Sequence, residues 1–127
     1  MDRTESVIPP DRLLRIAAAY HVVAGLVFAV FPVDALANLA LDPPRYWALW
    51  YAACSAPLVM AGLLQLARRR ADLRAGLVAA VALWNLVAMV LGIFFVVWSE
   101  LPAVLYGPAV AAGMWAWLLW GVYSPDP

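Results

Sequence analysis

The sequence contains no lysine, a single cysteine and a single histidine. One cysteine cannot form a disulfide within the chain, so cysteine usage leaves the redox compartment open. The same scarcity excludes a CxxC redox motif and a clustered zinc site, and no glycine-rich phosphate loop is present. The formal net charge is zero, which gives no electrostatic signature for binding nucleic acid. We therefore predict no enzyme activity, no cofactor, no metal site and no nucleic-acid partner.

Charged residues are also scarce. They make up 13% of the 127 residues, whereas 67% are hydrophobic. A soluble domain is usually about 25% charged and about 45–50% apolar. A chain of this length could not bury so much apolar surface in water, so we expect lipid to surround it. Arginine without lysine, together with abundant alanine, suggests a bacterial source.

Four long apolar runs dominate the chain, and none has a charged residue well inside its span. A bilayer core of about 30 Å needs about 20 helical residues, and each run is close to that length. Period-two alternation, which would indicate strands, is absent. The sequence predicts one all-α domain, a four-helix transmembrane bundle, with helices over about 13–31, 46–67, 75–98 and 102–123.

The link between the first two runs predicts a short helix of its own. Pro32 ends the first run, and Asp34 can cap a helix over 35–41 that has one apolar face. Pro43 and Pro44 then stop it. We expect this segment to lie flat at the membrane interface.

Arginine placement predicts the orientation. With four spans, the N-terminus, the second link and the C-terminus share one side, and that side carries every arginine except Arg45. Cytoplasmic loops are enriched in Lys and Arg. We expect a multi-pass protein of the bacterial inner membrane with both termini cytoplasmic.

The start of the chain also resembles a signal peptide. Arg12 and Arg15 precede an apolar run, and the small residues at 35–37 imitate a cleavage site. The run is longer than the usual apolar region of about 7–15 residues. We expect the segment to be retained as the first span.

Polar residues from three of the runs fall near the middle of the membrane. His21, Cys54, Ser55 and Asn85 each lie close to the midpoint of their run. Polar groups facing lipid lose their water partners, so His21, Ser55 and Asn85 should turn inward. We predict a ligand-binding layer and treat Cys54 as a packing residue. The candidate ligand-binding residues are His21, Asn85, Ser55, Tyr51 and Trp84.

Several roles are open for His21. It could form a structural hydrogen bond to Asn85 or Ser55, contact a ligand, or serve in proton transfer or metal binding. No carboxylate lies in any of the runs to stabilise an imidazolium, and burial disfavours the charged form. A neutral imidazole is therefore expected, which weakens the hypothesis that His21 carries protons.

Small residues and prolines predict details of the packing. Small-xxx-small pairs such as Ala88/Gly92 and Ala109/Gly113 favour close helix contacts. Pro57 and Pro108 lie inside the second and fourth runs, and we expect them to kink those helices.

The first half of the chain resembles small bacterial inner-membrane proteins of the DoxX-like kind. The resembling parts are "LLRIAAAYHVVAGLVFAVFP" and, after the predicted interfacial helix, "LDPPRYWALWYA". The resemblance implies an accessory or non-catalytic membrane role. It assigns no functional residue.

Two functions follow as hypotheses. The first is a non-enzymatic membrane protein that acts as an accessory subunit or binds a small hydrophobic molecule at the mid-membrane layer. The second is a small oligomeric transporter or channel for a neutral or lipophilic solute. Both imply the lipid bilayer as a partner, and the chain could assemble as a homo-oligomer or within a larger membrane complex.

Overall fold

A computed structural model of the chain describes residues 10–30, 43–98 and 106–123, with the backbone alone at 28–30, 43–54, 95, 96, 98, 122 and 123. These ranges contain α-helices and no strand, so the all-α prediction is confirmed for them. The predicted interfacial helix over 35–41 lies outside the described residues. The helices are α1 Pro10–Val30, α2 Pro43–Arg69, α3 Arg74–Trp98 and α4 Tyr106–Tyr123.

The helix ends follow local chemistry. Pro10 begins α1, where its missing N–H costs no hydrogen bond, and Asp11 in the first turn complements the helix dipole. The prolines expected to interrupt helices do not break them. Helix α2 continues through Pro57. Pro108 lies in the first turn of α4, where an N–H has no partner within the helix in any case.

A tight turn over residues 70–73 joins α2 to α3. The Arg70 N–H donates to the Leu66 carbonyl at 2.9 Å, and the Leu73 N–H donates to the Arg70 carbonyl at 3.2 Å. The Arg74 guanidinium then reaches back, donating from Nε to the Ala67 carbonyl at 3.0 Å. Carbonyls in the last turn of a helix lack partners within it, so this side chain caps the end of α2.

Charged side chains tie the start of α1 to the end of α2. The Asp11 carboxylate accepts from Arg15 Nε at 3.0 Å and from Arg68 Nε at 3.2 Å. The hydrogen bond from Arg68 is the main cause that lowers the pKa of Asp11, and the charge of Arg15 adds to it. In the turn itself, Arg70 and Asp72 form a bidentate ion pair. Arg70 Nε donates to Asp72 Oδ1 at 3.0 Å and Arg70 Nη2 donates to Oδ2 at 2.8 Å, and these hydrogen bonds lower the pKa of Asp72. We call this end of the bundle the charged end.

The helices pack in chain order, α1 on α2, α2 on α3 and α3 on α4. The contacts within the α1/α2 and α3/α4 pairs are more extensive than those between α2 and α3. Apart from Trp115, the large buried apolar side chains described lie in the half of the bundle nearer the charged end. They are Leu13 and Leu14 of α1, Met60 and Leu64 of α2, Val78 and Val81 of α3, and Leu119 of α4.

Small residues let α3 and α4 approach closely. A Cβ added to Gly92 would lie 2.9 Å from the Cβ of Ala109, and one added to Gly113 would collide with the Met89 side chain. By contrast, a Cβ at Gly62 or Gly76 would meet no atom within 4 Å. Small residues therefore matter at the α3/α4 contact.

One described helix has the length and composition of a membrane span. Residues Arg74–Phe94 have a mean hydropathy of 2.4, and only 22% of the most apolar window is buried inside the bundle. The other described helices do not meet the same test of length and hydropathy.

Candidate functional site

His21 lies on the buried stripe of α1. Leu14, Ala17 and Ala18 precede it at helical spacing on the same face and are buried in the core. His21 is the next member of that stripe, and only 4% of it is exposed. The same helical spacing that buries Leu14 therefore also places the imidazole of His21 inside the bundle.

Both ring nitrogens of His21 have assigned roles. Nδ1 lies 2.7 Å from the carbonyl oxygen of Ala17, one turn earlier in α1. A carbonyl oxygen can only accept, so Nδ1 carries the proton and donates it. In a neutral imidazole, Nε2 is then an acceptor. The backbone of α1 thus fixes which nitrogen faces the rest of the bundle with a lone pair.

Asn85 of α3 supplies the matching donor. It is 5% exposed, and its Nδ2 donates to the Val81 carbonyl at 2.9 Å and to His21 Nε2 at 3.2 Å. The amide cannot be reversed, because its oxygen would then face the Val81 carbonyl. Both protons of the amide nitrogen are therefore used.

With the ring proton on His21 Nδ1, the amide oxygen of Asn85 has no donor among the described residues. Oδ1 lies 3.4 Å from His21 Nε2. With the ring proton on Nδ1, Nε2 carries no hydrogen, so this contact joins two acceptors. An amide oxygen has two lone pairs, and burial without a donor costs free energy.

Trp115 of α4 carries a buried hydrogen-bond donor. The residue is 5% exposed, and its indole Nε1–H is buried without a hydrogen-bond partner in the described part of the chain. Its ring centroid lies 5.3 Å from that of Tyr20 and 6.2 Å from that of His21. Tyr20 also meets the His21 ring edge-on, at 5.4 Å and 84°. We call His21, Asn85, Trp115 and Tyr20 the polar layer.

The structure brings together only part of the predicted set. The predicted contact between His21 and Asn85 is present, whereas Trp84 is 47% exposed. Neighbouring helical residues point about 100° apart, so Trp84 cannot share the inward direction of Asn85. The side chain of Tyr51 lies outside what the structure describes.

Ser55 differs from the prediction because α2 turns another face inward. Ser55, Gly62 and Gln65, which share a face, are all exposed. Ser55 precedes the buried Leu64 by two and a half helical turns, which places the two on opposite sides of α2. Ser55 has an interaction partner of its own. The buried face of α2 is apolar instead.

Sequence reasoning did not select Trp115 or Tyr20 for the site. A signal for Trp115 exists in the spacing of α4, since it follows Ala112 by three residues and precedes Leu119 by four, and all three are buried. Tyr20 adjoins His21 and is half-buried, so it lies at the edge of the layer.

The chemistry that the polar layer offers is hydrogen bonding. Among the described residues, no group of three or more His, Cys, Asp or Glu side chains could hold a metal ion. No protein family, curated protein or solved structure matches the chain. The DoxX-like resemblance is therefore still an expectation, and the site has to be interpreted from its own geometry.

Proposed function

We propose that this chain is a non-enzymatic integral membrane protein that crosses the bilayer four times and binds a small lipophilic molecule at the polar layer. The main support for the membrane setting is α3. Its Arg74–Phe94 segment is long and strongly apolar, yet most of it faces outward. The core helix of a soluble protein of this composition would be mostly buried, so lipid is the environment that suits the exposed face.

Every helix contributes to the same apolar surface. Large apolar side chains are exposed on α1, α2, α3 and α4, and large contiguous apolar surfaces are rare on soluble monomers. Examples, one from each helix, are Val23, Val59, Leu83 and Trp117. Arginines gather at one end, where the positive-inside rule favours the cytoplasm. This supports the expected orientation, with the charged end inside.

Cysteine labelling tests this topology in intact cells. The native cysteine is first removed as Cys54→Ala, and Arg3→Cys, Asp72→Cys or Glu100→Cys is then added singly. A membrane-impermeant maleimide should label only the Glu100→Cys variant, because residue 100 follows the third predicted span. Labelling of all three to the same extent, or release of the protein from membranes by alkaline carbonate, would refute the four-span orientation.

The observation that supports a ligand is the buried indole N–H of Trp115, for which the described ranges supply no acceptor. A buried donor without a partner costs about 1–3 kcal/mol, and such groups are rare in native structures. The Trp115 ring lies 6.2 Å from the ring of buried His21, centroid to centroid, and His21 in turn accepts a hydrogen bond from buried Asn85. A ligand with a polar group would satisfy the donor and stabilise the bundle.

The surrounding core favours binding over transport. A transporter needs a polar path from the layer to both sides of the membrane. Toward the charged end, the polar layer is followed by Leu14, Leu64, Val78, Val81 and Leu119, each at most 1% exposed. This apolar plug opposes passage of a polar group and is compatible with a site closed on that side.

Native mass spectrometry from a mild detergent tests the binding. Wild-type protein should carry a small-molecule adduct that is released on activation. The Trp115→Phe variant should retain less of the adduct. Trp117→Phe should match wild type, because Trp117 is 74% exposed. If no variant carries an adduct and none binds added lipophiles, the binding function is wrong.

A further inference from the structure

Within the described part of the chain, the three buried residues of the polar layer, His21, Asn85 and Trp115, leave one donor and one acceptor unused. His21 donates from Nδ1 and accepts at Nε2, and the Asn85 amide nitrogen uses both of its protons. What remains is the Trp115 indole N–H and the Asn85 amide oxygen. Both belong to residues that are 95% or more buried. A complementary ligand group must therefore accept one hydrogen bond and donate another.

The lack of charged side chains among the buried residues described further restricts which polar group a ligand could place at the polar layer. No Asp, Glu, Lys or Arg is among the buried residues described, so neither a carboxylate nor an ammonium group would find an opposite charge there. Burial of an unpaired ion is strongly unfavourable. An ether or ketone accepts but does not donate, and would leave the Asn85 oxygen unpaired. A hydroxyl is the smallest neutral group that does both.

We propose that the ligand is a neutral lipophilic alcohol, whose hydroxyl oxygen accepts from Trp115 Nε1–H and whose hydroxyl proton is donated to Asn85 Oδ1. This specificity rests on the proposed binding function and adds to it the chemical class of the ligand. The apolar body of the alcohol points away from the charged end, because Leu14, Val78 and Leu119 fill the bundle on that side.

A matched set of three probes tests the role of the hydroxyl. The probes are trans-4-pentylcyclohexanol, its methyl ether and pentylcyclohexane, which share one apolar body. The full chain is labelled with ¹⁵N-tryptophan in a mild detergent, and the indole N–H resonances of its seven tryptophans are followed. The resonance that disappears in Trp115→Phe identifies Trp115, and Trp117→Phe provides the matched control.

The alcohol should shift the Trp115 indole proton downfield, and the hydrocarbon should not. One net hydrogen bond corresponds to about a three- to tenfold change in affinity, so the alcohol should bind more tightly than the hydrocarbon by at least that factor. The ether should fall between them. In Trp115→Phe the preference for the alcohol over the hydrocarbon should shrink by about the same factor, and in Trp117→Phe it should persist.

The outcomes separate this inference from the binding function. Equal binding of all three probes, or binding of the alcohol without a shift at Trp115, would overturn hydroxyl recognition and leave a lipophile binder. A Trp115 resonance that no probe moves would mean a trapped water only, and it also overturns the inference. Absence of binding by every probe, together with no adduct in native mass spectrometry, would overturn both. If Trp115→Phe does not fold, the alcohol–ether comparison on wild type still decides.

Discussion

The half of the bundle nearer the charged end and the half beyond the polar layer use similar side chains in different ways. In the first half, Leu14, Leu64 and Leu119 come from three helices and are buried together in one core cluster. In the second, Leu26, Val90 and Val110 are more than half exposed, and the described buried apolar residues there are small, such as Ala109. Composition does not separate the two halves, since both are apolar. Packing in the first half therefore holds the bundle together, and this packing ends at the polar layer.

The largest effect should come from opening a hole in the packed half. Leu64→Ala removes a fully buried side chain, and we expect a loss of about 3 kcal/mol in the free energy of unfolding, because the cavity cannot collapse fully. Leu66→Ala on the exposed side of α2 is the matched control and should change stability little. Unfolding in mixed micelles measures both. Equal losses would mean that the two sides of α2 are packed alike.

The next effect tests whether the second half has any tight contact at all. Gly92→Val places side-chain atoms against Ala109 and should cost about 1–3 kcal/mol by forcing α3 and α4 apart. Gly62→Val has open space around it and serves as the control. The same unfolding assay applies. If Gly92→Val is as harmless as Gly62→Val, the α3/α4 contact is not a determinant of stability.

A smaller effect belongs to the boundary between the halves. The His21–Asn85 hydrogen bond should show a coupling of about 0.6 kcal/mol, and no more than about 1.7, in a double-mutant cycle of His21→Ala and Asn85→Ala. Trp84→Ala, one residue away on the outer side, should not couple to His21→Ala. Coupling near zero for the first pair would remove the hydrogen bond as a stabilising contact.

The smallest effect is a pH dependence at the charged end. Because Arg68 and Arg15 lower the pKa of Asp11 below its usual 3.8, the carboxylate stabilises the folded state above that value. The contribution should be lost as the pH falls below 3.8 and through the lower folded pKa. Asp11→Asn should flatten this part of the pH profile of unfolding. Asp72→Asn removes a pair confined to the turn, so the profile should keep its Asp11 component. An unchanged profile in Asp11→Asn would exclude the link between α1 and α2.

Much of the fold could be predicted because it depends on local chemistry. The four apolar runs coincide with four helices to within a few residues, since apolar runs bounded by proline and arginine favour helices with ends at those positions. The kinks expected from Pro57 and Pro108 are still predictions, although α2 continues through Pro57 and Pro108 lies in the first turn of α4. The effect of a proline depends on whether it falls in a helix interior or in a first turn, and the start of α4 at Tyr106 could not be read from hydropathy.

The candidate site was predicted in part. Depth along each helix follows from counting residues, and it correctly paired His21 with Asn85. Direction around each helix depends on which neighbours pack against it. That is why Ser55 and Trp84, at the right depth, are exposed, while Trp115 is buried beside His21.

The amino-acid sequence by itself determined an all-helical chain with charge at one end and a polar residue near the middle of three of its helices. Its local periodicities and end signals act within a single helix and need no partner. Only the tertiary structure decided which face of each helix is buried, that Nε2 of His21 meets an amide proton, and that the indole N–H of Trp115 meets no acceptor among the described residues. Those outcomes depend on side chains far apart in the sequence, whose relative positions are set by packing between helices.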